Sequence, residues 1–222
     1  MSKGNVSFDR LFKYRIGPIF GLLTFLIGLL GYVIALVLTP DYIMWQNSIS
    51  MLTLLTGGII LRIGMVVSNF LAIPYMISLG RALKDDNVNE FIRKFAIASG
   101  IFSSISVILT GVFTGTNPLI RDLHGMFAMF SWFGGAITCL IFGFLMLKNS
   151  NFTKFIAIFN FLIGGIFATY LLPFFITIFC SYFCYSFGQM VYMILPTWEW
   201  SLIFSILLWY FFNSFYLLRK KP

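Results

Sequence analysis

Histidine occurs once in this sequence, at position 124, and cysteine only three times. A zinc site or a disulfide framework needs more of both, so Cys139, Cys180 and Cys184 read as small apolar residues. Cys180 and Cys184, four apart, fall on one helix face. No metal and no cofactor are implied.

Charge is scarcer still. Only 10% of the 222 residues are charged, whereas 59% are hydrophobic and 28 are Phe. Soluble domains carry about a quarter charged residues, so a water-soluble core is excluded. The alternating ten-residue segments of a membrane β-barrel are also missing. The net charge of +8 would suggest nucleic acid in a soluble chain. Here its position along the chain matters more than its sum, and membrane lipids are the expected partners. Nucleic acid is not expected, and a homo-oligomer is left open.

What the sequence does have is long apolar runs, at 16–38, 57–80, 95–115, 123–147, 155–175 and 198–218. Each can cross a hydrocarbon core as a helix of about 20 residues. The expected fold is all-α: one integral membrane domain over 1–222, a six-helix bundle with interfacial or re-entrant outer segments. Residues 176–195 are uncharged and long enough for a seventh span, and charge counting decides against one. With six spans, Lys3, Arg10, Lys13, Arg15, Arg81, Lys84, Arg93, Lys94, Lys148, Lys154, Arg219, Lys220 and Lys221 share one side, 13 of the 15 basic residues. A seventh span would move the last three across. The positive-inside rule therefore puts both termini in the cytoplasm and the chain in the cell membrane. Tyr182, Tyr185 and Tyr192 then suit the headgroup zone.

Within the spans, Gly17, Gly21 and Gly28 share a face that permits close backbone approach. Ser99, Ser103, Ser106, Thr110 and Thr114 form a hydroxyl stripe along the third span. It reads as hydroxyls bonded to their own helix, with a polar path towards the outer face as the functional alternative. No internal repeat of the transporter type is visible.

The remaining ionisable groups, Arg62, Arg121, Asp41, Asp122, His124 and Glu199, all fall near the outer boundary. Groups of this kind at membrane depth are costly and are usually paired or functional. Asn117-Pro118 has the form of a helix cap followed by proline at the first helical position. That N-terminus with Arg121 suits a phosphate or carboxylate, and its positive end favours a neutral His124. His124 can act as a general base supported by Asp122 or Glu199, or complete an interhelical network. Glu199 also complements the dipole of the last span, and Arg62 either snorkels or pairs. In the first outer loop, Thr39-Pro40 is placed to cap a short interfacial helix, with Tyr42 and Trp45 as anchors. Gln46, Asn47, Ser48 and Ser50 form its polar part. No G-x-S-x-G elbow marks a serine nucleophile, so this reads as a solvated loop.

Three elements together resemble small six-span prokaryotic membrane proteins grouped as a domain of unknown function, distantly similar to the FRAG/DRAM/Sfk proteins. They are Asn47-Ser48-Ile49-Ser50 with Asn69 in the following span, Gly111-Val112-Phe113 followed by His124 and a Phe-rich helix, and Trp198-Glu199-Trp200 with Trp209. Met51-Leu52-Thr53 stands where a family-like glycine would follow. The resemblance implies a six-helix bundle with a polar outer pocket and a connection to lipid handling; no catalytic mechanism comes with it.

The leading expectation is a protein that binds a lipid or amphiphile headgroup through Arg121, Arg62, Asn47, Ser48 and Asn69, with His124. An intramembrane lipid hydrolase or transferase using His124, Asp122 and Glu199 is the alternative. A small-solute transporter comes last, because no ionisable residue falls at the bilayer midplane.

Overall fold

An apolar segment in hydrocarbon must satisfy its own backbone, and a helix does so without a partner. The computed structural model describes residues 8–183 and 185–220, with backbone alone at 174, 177–183 and 185–192. Among the described residues there are helices and turns and no strand. The helices are α1 (Phe8–Val37), the short α2 (Ile49–Leu52), α3 (Gly58–Ala82), α4 (Glu90–Val112), α5 (Pro118–Lys148), α6 (Lys154–Phe183) and α7 (Tyr185–Arg219). Six of them carry windows long and apolar enough to cross a membrane, making this a multi-pass membrane protein. Of the ambiguous stretch 176–195, residues 176–183 are helical backbone at the end of α6 and 185–195 at the start of α7. The Cys180–Cys184 face and the roles of Tyr182, Tyr185 and Tyr192 lie outside the described side chains, and Lys3 and Lys221 outside the described residues.

Local chemistry sets the helix ends. Asn89 caps α4 by accepting from the amides of Phe91 (2.9 Å) and Ile92 (3.1 Å). Asn117 caps α5, accepting from Leu119 N–H at 3.0 Å ahead of Pro118 at the first helical position. Inside α1, Pro18 has no N–H to give to Tyr14 and its ring crowds that carbonyl. The helix responds with one π-turn, Phe12–Ile16, in which Gly17 N–H reaches back to the Phe12 carbonyl. Ser78 of α3 donates to the loosened carbonyls of Phe12 (3.2 Å) and Lys13 (3.3 Å).

Small residues bring α1 against α3. A Cβ on Gly64 would stand 2.9 Å from the Gly31 Cα, so the two backbones touch there. The face expected from Gly17, Gly21 and Gly28 is present. Ser78 meets Gly17, Ser214 and Tyr75 meet Gly21, and Leu207 meets Gly28.

Each long helix packs beside its neighbours in sequence, and α7 returns to pack on α1. The six therefore close into a ring, and their alternation puts both described chain ends on one face, called here the terminal face. Near that face the ring is filled. Tyr75, Phe142 and Trp209 are fully buried, with Tyr75 edge-on to Trp209 at 6.0 Å. Charges there are paired: Asp9 with Lys13 (2.7 Å) and Glu90 with Arg93 (2.6 Å). Arg93 also donates to the Gly80 carbonyl at the end of α3 (2.8 Å). Asp85 ties the two terminal-face loops together, accepting from Asn87 N–H (3.0 Å) and from the Ser150 hydroxyl (3.1 Å). Those donors hold its carboxyl below the usual range.

Candidate functional site

A ring of six helices has a lumen, and towards the far face this one is not filled. A cavity of about 110 Å³ remains, lined by residues of every helix from α1 to α7. Along α5 it runs from His124 to Cys139, about 22 Å at the α-helical rise. That volume over that length is a thin passage, unlike the 300–1,000 Å³ of a drug-sized pocket.

The lining is more apolar than its serines and threonines suggest. Thr24 donates to the Phe20 carbonyl, Thr110 to Ser106, Ser131 to Ala128 and Thr138 to Gly134, all at 2.7–2.9 Å. Hydroxyls that give their protons to main-chain carbonyls have no donor left to offer a water. The stripe on α4 does two jobs. Ser106, Thr110 and Thr114 bond back within α4, whereas Ser99 and Ser103 donate to the Gly134 and Ser131 carbonyls and fasten α4 to α5.

The far mouth is covered by the first loop, and this loop is fitted rather than freely solvated. The short helix is capped by Ser48, whose hydroxyl accepts from Met51 N–H at 3.3 Å, and not by Thr39. Thr39 instead accepts from Gly57 N–H (3.2 Å). Ile49 and Leu52 are buried beneath α2. Tyr42, expected as a headgroup anchor, is folded inwards and donates to the carbonyls of Asn47 and Ser48 at 2.7 Å each. Burial pushes its hydroxyl well above the usual tyrosine range, keeping it a neutral donor. Trp45 does stand exposed. Trp200 of α7 packs edge-on against Tyr42 and Tyr32, at 6.1 and 5.7 Å, and donates to the Asn47 carbonyl.

His124 and Glu199 hold α2 from opposite sides. Glu199, 7% exposed, accepts from Ile49 N–H at 3.0 Å. The next residue, Ser50, has its Oγ 3.0 Å from His124 Nε2. The other ring nitrogen, Nδ1, lies 2.9 Å from the Thr110 carbonyl and 3.1 Å from that of Phe113. Carbonyls only accept, so Nδ1 carries a proton, and in the neutral ring Nε2 presents its lone pair to the Ser50 hydroxyl. Thr110 and Phe113 belong to the last turn and cap of α4, where backbone carbonyls lack helical partners. His124 thus faces the carbonyl end of α4 and not the positive end of α5, because it sits well inside its own helix.

The expected site residues divide accordingly. Asn69, His124 and Glu199 line this cavity, and Ser50 lines it with them. Asn69 donates to Met65 O at 2.9 Å. Arg121 and Asp122 are exposed and off the lining, so Asp122 does not orient His124. Glu199 is bonded to Ile49 instead of to the ring. Asn47 and Ser48 build the turn around α2. Arg62 is half-buried on α3, with its Nε lacking a hydrogen-bond partner, and is also off the lining. Sequence reasoning missed Ser50 as the partner of His124. The available signal was the polar Asn-Ser-Ile-Ser stretch, but it lies 74 residues away. The Thr110 carbonyl left no signal, being backbone.

Comparison with protein-family models, curated proteins and solved structures finds no match for this chain.

Proposed function

We propose that this membrane protein binds an amphiphile, with an apolar tail in the lumen of the helix ring and its polar head at the mouth near Ser50 and His124. The shape of the lumen carries this reading: it is too thin for a headgroup, its hydroxyls are internally satisfied, and it ends in polar side chains. The aromatic packing of Tyr75, Phe142 and Trp209 closes its terminal end, which favours a binding site over a transport path. Arg121, exposed one turn above His124, would then meet an anionic part of the head extending out of the mouth. The basic terminal face is the cytoplasmic side, by the same positive-inside count that set the number of spans. Lipid handling, as the family resemblance implies, is part of this proposal.

Native mass spectrometry with lipid identification, on protein extracted in mild detergent, tests it. Wild type should retain a defined amphiphile. Val107→Phe, which places a ring in the lumen, should lower its occupancy by about tenfold or more, equivalent to about 1.4 kcal/mol. A wild type that retains no amphiphile, or occupancy untouched by the added ring, rejects the lumen as the binding site.

A further inference from the structure

We infer that Ser50 and His124 are a nucleophile and its general base, acting on an acyl ester of the amphiphile held in the lumen. The inference rests on the binding proposal for its substrate, and on its own geometry for its chemistry.

Three parts of a nucleophile site stand in sequence here. Ser50 Oγ lies 3.0 Å from His124 Nε2, within reach for proton transfer. The ring is oriented by a third group, the Thr110 carbonyl, at 2.9 Å from Nδ1. A backbone acceptor fixes tautomer and ring plane as a carboxylate would, without a charge to bury. Both reacting side chains are partly open and both line the cavity. His124 sits six residues inside Pro118, at a depth of about 9 Å from the start of α5. An acyl tail in the lumen below would bring its carbonyl carbon to Ser50, with the alcohol portion outside the mouth.

The step balances with water alone. Ser50 Oγ adds to the ester carbonyl carbon as its proton passes to His124 Nε2. The C–O bond to the alcohol breaks, and the departing oxygen takes that proton, leaving an acyl–Ser50 ester. Water adds to the acyl carbon, giving its proton to Nε2. Collapse then returns that proton to Ser50 and releases the carboxylic acid. Throughout, Nδ1–H stays on the Thr110 carbonyl. Asp122 and Glu199 take no part, in contrast to the support expected of them from sequence.

A fluorophosphonate carrying a long alkyl chain is the probe, applied to the full chain in nanodiscs, with the modified residue mapped by peptide mass spectrometry. The expected adduct is on Ser50. His124→Gln should slow its formation by about 100-fold, the scale of a lost general base, whereas Ser201→Ala, an exposed change on α7, should label as wild type. Mapping in the unmutated protein decides the matter even if Ser50→Ala fails to fold. No adduct, an adduct elsewhere, or labelling indifferent to His124→Gln overturns the inference. Amphiphile retained in a protein that does not label would sink this inference and leave the binding proposal standing. Labelling of Ser50 in a protein that holds no amphiphile would reject the binding proposal and with it the lumen-held substrate, leaving only the reactivity of the Ser50–His124 pair.

Discussion

At the terminal end of the ring, polar atoms are matched to one another across helices. Asn160 of α6 donates to Asn213 of α7 at 3.0 Å, accepts from the Trp209 indole, and is fully buried. At the far end the polar atoms are matched to backbone. Glu199 holds an amide, His124 holds two carbonyls, and the lumen serines Ser103 and Ser131 give their protons to main-chain carbonyls. The first arrangement locks helices together. The second leaves side-chain capacity unspent: one imidazole lone pair on one hydroxyl, beside an opening. The difference separates the half that maintains the ring from the half that can meet a ligand.

The sharpest break of that contrast is at the backbone contact of α1 and α3. Gly64→Leu would drive a side chain into Gly31 at a distance no real Cβ shows, and should abolish a monodisperse peak in size-exclusion chromatography. Gly125→Ala, at the mouth, meets nothing within 4 Å and should elute as wild type. Next in size, Asn160→Leu strands the Trp209 indole and Asn213. With interhelical hydrogen bonds in membranes averaging about 0.6 and reaching about 1.7 kcal/mol, a loss of about 1–3 kcal/mol is expected as a lower Tm in detergent. Asn69→Leu removes only bonds within α3 and should cost less; equal losses would erase the distinction between the halves. The smallest effect belongs to Asp85. Its carboxyl is held below the ordinary range, so its contribution is present above the unfolded-state pKa and fades as pH falls through the folded one. Asp85→Asn should therefore lower Tm slightly at pH 7 and flatten its decline in acid, where the two proteins converge. An unchanged acid decline would show that the loop bonds do not depend on the carboxylate.

The spans were legible because hydrocarbon demands length and apolarity, and both are local properties. The Asn117-Pro118 start of α5 was legible for the same reason: a cap acts within three residues. The glycine face of α1 announced a close approach, but the backbone contact of Gly31 with Gly64 depends on the relative height of two helices. Thr39-Pro40 resembled a cap and is not one, because the buried pair Ile49 and Leu52 decides where the short helix forms. The charged cluster around position 121 lies at the end of the ring where the cavity opens, but only His124 and Glu199 of it line that cavity. Arg121 and Asp122 neighbour His124 along the chain, yet both are exposed and off the lining, while Ser50 arrives from another loop. Ring closure was invisible, since nothing in six apolar runs says that the last should return to the first.

That closure has a consequence for the birth of the molecule. Gly21 and Gly28, on a helix made early in this chain, complete their packing against Ser214 and Leu207, on one made late. At a synthesis rate of about 5–20 residues per second, the 193 positions from Gly21 to Ser214 take roughly 10–40 s. For that time α1 stands in the bilayer with one flank open to whatever helix or lipid arrives, and the lumen does not yet exist.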